Sequence, residues 1–235
     1  MGKVGSSKVY ESLKQILPYN NIIHIHFLSE FLLQEELPKT NKWFEHNIRE
    51  GEGVLKKLKS RKTKKIKIIT LVRDPIATSI SGIFQNWPAH ASSIEDLSPE
   101  FISSKINNSD FNYVLNWFNF EFKNFTGFDI YNHDFNKSDG YSLYEHNDFD
   151  ILCIQTEKLK NCFSNAMFEF CGINLKIVNS NVGSNKTYSH LYDNVLRNLK
   201  PSDSTIKKVY KSNHVKHFYD RVMIDKFKSR WISSI

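Results

Sequence analysis

The sequence is poor in cysteine: Cys153, Cys162 and Cys171 are the only three in 235 residues, an odd number with no CxxC pair among them. A disulfide framework needs paired cysteines and a thiolate zinc site needs them closely spaced, so neither is expected, and no metal site is read from the chain. The three thiols are read as reduced core residues. No apolar run approaches the roughly 20 residues that cross a bilayer, and no charged-then-apolar leader precedes the first motif. A cytoplasmic protein without a transmembrane segment is the expectation. Repeats and linkers are lacking too. With 40% hydrophobic residues the chain can build one sizeable core but is short for two, which predicts a single domain over 1–235.

Acidic residues are in the minority, 25 against 32 Lys and Arg, for a net charge of +7. An anionic partner fits, and nucleic acid, an anionic glycan, a membrane surface and a phosphate-rich ligand would fit equally. The densest basic stretch, Lys56 to Lys67, runs from the end of a helix toward a strand. Cations there complement a helix C-terminus, or they attract an anionic acceptor.

Periodicity sets out alternating elements. Val9, Leu13 and Leu17 recur at helical spacing after Gly5-Ser6-Ser7, so a loop feeds a helix. A short strand is expected over Asn21–Phe27, a helix capped by Ser29 after it, and another over Asn41–Lys59 that Gly51 and Gly53 interrupt. The clearest buried strand is Ile66–Val72. Asp74 and Pro75 then supply an N-cap and a first-turn proline for a helix to about Asn86. Helices follow near Pro99–Ile106 and Asp110–Phe122, with Tyr113, Trp117 and Phe120 read as core. The stretch Gly127–Gly140 is irregular, a second clear strand spans Phe149–Gln155, a helix reaches Cys171, and the tail is helical with breaks near Pro201 and Asn213. Strands alternating with helices predict a three-layer α/β fold, a mostly parallel sheet covered on both faces, with ligands gathered beyond the C-terminal ends of the strands.

Two stretches carry anion chemistry. Lys3-Val4-Gly5-Ser6-Ser7 entering a helix offers free backbone N–H groups, two hydroxyls and an ammonium. It lacks the GxxxxGK[ST] order of a Walker loop, and an ordinary glycine turn would also explain it. In Leu71-Val72-Arg73-Asp74-Pro75 an arginine closes a strand, and Ser81 follows eight positions on, sharing a helical face with Thr78 and Gln85 while Ile76, Ile80 and Ile83 take the core side. Arg73 and Ser81 can therefore converge on one phosphate. His24 and His26, two apart in the expected strand, project from one face and are candidates for a base, with a strand histidine satisfied in the core as the competing reading. Glu30 and His46 are further acid-base candidates.

K-x-G-S-S opening a helix, followed by an arginine ending a strand and a serine eight residues later in RDPxxxxxS, resembles the 5′-phosphosulfate loop and 3′-phosphate motif of sulfotransferases that use 3′-phosphoadenosine 5′-phosphosulfate (PAPS). The full series of segments runs GKVGSS, HFL, TLVRDPIATSISGIFQN, FDIYNHDF and NVGSNK. More closely it resembles a bacterial sulfotransferase-like family of capsular polysaccharide synthesis proteins, over nearly the whole chain. The resemblance implies the P-loop-NTPase-like sulfotransferase fold and transfer of a sulfuryl group from PAPS to a hydroxyl, with adenosine 3′,5′-bisphosphate (PAP) as product. It implies a saccharide or other hydroxyl acceptor and neither nucleic acid nor metal. Carried over, Lys3 would contact the bridging oxygen and leaving phosphate, Gly5, Ser6 and Ser7 the 5′-phosphate, and Arg73 and Ser81 the 3′-phosphate. His26, then His24, would take the acceptor proton, and Lys186 in Asn181–Lys186, with Gly183 as a hinge, would fold over the nucleotide.

The strand that precedes the phosphate loop in that fold is missing before Gly2-Lys3, which is the expectation of a truncated reading frame or of another segment filling the gap. The rival from another class is a non-catalytic basic module that binds an anionic glycan or nucleic acid. A nucleotide-dependent kinase is disfavoured by the absent Walker order and by the lack of an acidic magnesium ligand at a strand end.

Overall fold

The computed structural model describes residues 2–18, 22–26, 28–29, 42–60, 65–178 and 188–232. The chain divides into two compact units, one of Gly5–Val72 with Asn116–Val178 and the other of Gly2–Val4, Arg73–Leu115 and Asn179–Ile235.

The first unit is built on a three-stranded sheet of order β1-β3-β2. β1 (Ile66–Val72) lies parallel to β3 (Phe149–Gln155), with Ile66 opposite Phe149 and Val72 opposite Gln155. β2 (Tyr141–His146) lies antiparallel on the other side of β3, joined to it through Asn147, which takes a φ of 49° that asparagine tolerates better than most side chains. Central β3 is the apolar spine: Ile151, Leu152, Cys153 and Ile154 are all buried. Helix α6 (Leu159–Cys171) packs on β3 and β2, burying Phe163, Ala166 and Met167. Each large apolar side chain so buried contributes roughly 1.5–3 kcal/mol. The same unit carries α1 (Ser6–Lys14) and α2 (Lys42–Lys59).

β1, β3 and the end of α6 lie where periodicity placed them. Three differences stand out. The sheet is mixed rather than mostly parallel, because the polar edge strand β2 escapes a pattern search tuned to apolar runs. The expected strand Asn21–Phe27 is described only over 22–26, and those residues form no strand among the described residues. Helix α2 runs unbroken through Gly51 and Gly53, whose cost of about 1 kcal/mol each relative to alanine is tolerated around the buried Val54.

The second unit is helical: α3 (Pro75–Gln85), α4 (Pro99–Asn107), α7 (Ser189–Asn198), α8 (Asp203–Tyr210), α9 (Asn213–Phe218) and α10 (Arg221–Ile232). Four of these starts are capped by their own sequence. Asp74, Ser98, Ser202 and Ser212 accept from the N–H groups of Ile76, Phe101, Thr205 and Val215. Helix α4 packs on α3 and α7, and Asn107 accepts from the Ser202 N–H at 2.8 Å, tying α4 to the start of α8. Ile76, Ile80 and Phe84 of α3 are buried, whereas Ile83 is only half-buried.

Where the chain returns from the second unit to the first, α5 (Asn112–Trp117) passes directly into a π-helical segment, Phe118–Lys123. The wider π turn rotates the inward face, so Trp117, Phe118, Glu121 and Phe122 are buried while Tyr113, expected in the core, is 46% exposed. All three cysteines are free thiols, Cys153 and Cys162 buried and Cys171 partly so.

Candidate functional site

In the first unit, Gly5 is the residue that lets the chain turn into α1. It holds φ 89°, ψ 10°, the left-handed region that a side chain disfavours, and a Cβ there would stand 3.3 Å from the Thr156 methyl. Thr156 directly follows β3, so the Gly5-Ser6-Ser7 turn sits against the C-terminal end of the central strand, where open α/β sheets gather ligands. Ser6 is half-buried and Ser7 exposed at the first turn of α1. Uncommitted N–H groups and the positive end of the helix dipole favour an anion there.

The Ser6 hydroxyl is hydrogen-bonded to His24 Nε2 at 2.9 Å. The imidazole of His24 stacks on Tyr10, centroids 5.2 Å apart at 24°, and meets His26 at 5.2 Å. The sequence brought the two histidines to one side, and the structure places both rings together, but it is His24 that reaches the loop, with His26 behind it. Burial pushes the His24 pKa below the ordinary histidine value, so its imidazole is neutral near pH 7 and can accept a proton.

Glu121 was not found from the sequence. Its carboxylate, 3% exposed on the π-helical segment, accepts the backbone N–H groups of Leu28 and of Ser29, the latter at 3.0 Å, two and three residues beyond His26. Ser29, expected as a helix cap, donates its hydroxyl to the Phe120 carbonyl at 3.3 Å. Burial pushes the Glu121 carboxyl up, against the pull of those hydrogen bonds. The only sequence signal was an acidic residue inside the aromatic run Trp117–Phe122.

In the second unit, Arg73 is half-buried. It donates from Nη1 to the Lys3 carbonyl at 2.9 Å and from Nη2 toward the Tyr192 hydroxyl at 3.5 Å. Lys3 itself holds φ 64°, unusual for a residue with a side chain. Asp74, beside Arg73, is buried. It accepts from Tyr210 at 2.9 Å and from Trp231 Nε1 at 3.3 Å, as well as capping α3. Burial raises its pKa, while the bonds from Tyr210 and Ile76 and the nearby Arg230 and Arg73 oppose the shift. Ser81 is half-buried on α3, Thr78 is buried with its hydroxyl turned back to the Asp74 carbonyl, and Gln85 is exposed. His46 is exposed on α2. Lys186, Gly183 and Glu30 lie outside the described residues.

Residues 100–220 match the family model described as "Putative capsular polysaccharide synthesis protein", slightly more than half of the chain. The chain belongs to that family. No curated protein and no solved structure matches it. The matched region contains Glu121, Tyr192 and Tyr210 and begins beyond Gly5, Arg73 and Ser81. No described helix is long and apolar enough to cross a membrane.

Proposed function

We propose that this protein is a sulfotransferase that moves a sulfuryl group from PAPS to a hydroxyl of a saccharide, in keeping with its membership of a capsular polysaccharide synthesis family. The observation that carries the reading is the 2.9 Å hydrogen bond between His24 and Ser6, which joins a neutral imidazole to the helix-start turn suited to an anion. PAPS supplies an activated S–O bond. The acceptor oxygen forms a new bond to sulfur as the bond from sulfur to the 5′-phosphate oxygen breaks, and PAP leaves.

The protein's part in such a loose, in-line transfer is to orient the groups and neutralise the departing phosphate. Gly5, Ser6 and Ser7 are assigned to the 5′-phosphosulfate, the Lys3 ammonium to the bridging oxygen and leaving phosphate, and Arg73 and Ser81 to the 3′-phosphate. His24, with His26 beside it, takes the acceptor proton. Lys186 is assigned to the nucleotide on sequence grounds alone.

Calorimetric titration with PAP, with AMP as the ligand lacking a 3′-phosphate, tests this. A preference for PAP of about tenfold or more that disappears in Arg73→Ala is expected, the size of one charge-assisted contact. Equal affinity for the two nucleotides sinks the assignment. Equal affinity together with steeply salt-dependent binding of a polyanion would mark a basic binding module instead.

A further inference from the structure

We propose that Tyr192 is a binding residue of the Arg73 anion site, its hydroxyl donating to the same terminal phosphate of a nucleotide phosphomonoester that Arg73 and Ser81 hold. The inference rests on the assignment of Arg73 above and adds a residue that sequence motifs did not indicate.

The argument begins with hydrogen-bond capacity. A guanidinium only donates, so at the 3.5 Å contact with Arg73 Nη2 the Tyr192 oxygen is the acceptor, and the hydroxyl keeps its own proton. Among the described residues that proton has no acceptor. Arg73 Nη1 gives one of its two N–H groups to the Lys3 carbonyl. The guanidinium is thus held from two sides, with donors left over for a ligand.

The ring of Tyr192 is placed by packing. It stands edge-on to Phe84, centroids 5.1 Å apart at 81°, and Tyr188, one turn earlier in the chain, meets the same Phe84 at 5.5 Å. Phe84 is buried and lies three residues after Ser81 on α3, the spacing that puts two side chains on neighbouring turns of one face. Tyr192 therefore touches both the arginine of the motif and the helix turn next to its serine. A terminal phosphate has three oxygens to satisfy, and the Arg73, Ser81 and Tyr192 side chains offer one kind of donor each. A tyrosine with only two side-chain torsions, and its ring already packed, loses little freedom on binding.

Packing on Phe84 alone would keep Tyr192 in place for purely structural reasons, and Tyr192→Phe separates the two roles by deleting the hydroxyl while keeping the ring. The full chain is titrated with PAP and with AMP, and the ratio of the two affinities is read, because that ratio does not depend on how much of the sample is folded. Tyr192→Phe is expected to lower the preference for PAP by about tenfold, the worth of one hydrogen bond to a charged group, with AMP binding unchanged. If Arg73→Ala abolishes the preference and Tyr192→Phe keeps it at the wild-type value, the Tyr192 proposal is wrong and the sulfotransferase reading stands. If the unaltered chain shows no preference for PAP, both fall together.

Discussion

Asp74 and Tyr210 are joined by a buried hydrogen bond of 2.9 Å across 136 residues of sequence, and Trp231 Nε1 closes the group by donating to both, at 3.3 Å and 2.7 Å. The turn that presents Arg73 is in this way held by the eighth and tenth helices. Removing one member leaves the other two bonded to each other but one hydrogen bond short in a buried setting, which is the expensive way to lose a hydrogen bond.

Tyr210→Phe is therefore expected to cost about 1–3 kcal/mol of stability with almost no change in packing. Asp74→Ala should cost more, since it also removes the cap of α3, worth about 0.5–2 kcal/mol. Urea denaturation checks the order. A Tyr210→Phe midpoint equal to the wild type would mean that the hydroxyl contributes nothing to the network.

How much of this was visible beforehand follows from what periodicity reports. β1 and β3 are mostly apolar runs, interrupted by Lys67 and Thr70 in one and by Asp150 in the other, and both strands lie where that pattern places them. Asp74-Pro75 marks the start of α3 from sequence alone. The pair His24 and His26 shows side-chain facing, and the rings do meet, but alternation in residues 22–26 says nothing of a hydrogen-bonded neighbour, and no strand forms there. Glu121, Tyr192, Tyr210 and Trp231 were illegible for one common reason. Each acts on a segment 92 or more residues away in the chain, and only folding brings the partners together.

The backbone of Gly5 gives a second test. At φ 89° a side chain costs about 1–2 kcal/mol, and an added Cβ also meets the Thr156 methyl at 3.3 Å. Gly5→Ala is expected to lower the unfolding free energy by about that amount and to weaken PAP and AMP alike, because the turn is assigned to the 5′ end that both nucleotides share. Adding Thr156→Ser, which removes the methyl, should recover the contact part of the loss and leave the backbone part. An altered PAP to AMP ratio in Gly5→Ala would contradict the division of labour between Gly5 and Arg73.

Glu121 makes stability depend on pH in a predictable sense. Its folded pKa is raised above the ordinary carboxyl value of 4.5. The group's favourable contribution is therefore complete below that value and is lost as pH rises through the folded pKa, where a buried carboxylate must ionise. Glu121→Gln cannot ionise, yet its amide oxygen can still accept from Leu28 and Ser29, since Oε1 lies within reach of both N–H groups and only the second contact of Ser29, to Oε2, is given up. Relative to the wild type, the glutamine variant should be less stable near pH 4 and gain on it by pH 8. Glu121→Ala orphans both N–H groups and should cost about 1–3 kcal/mol at either pH. Chemical denaturation of the three proteins at the two pH values decides the matter: a wild-type to glutamine difference that does not move with pH would show that folding leaves the carboxyl's pKa unshifted, and a wild type that gains on the glutamine variant as pH rises would show a carboxyl ionised in the folded protein throughout. The clamp on the segment beyond His26 would then be a permanent ion rather than a titrating one.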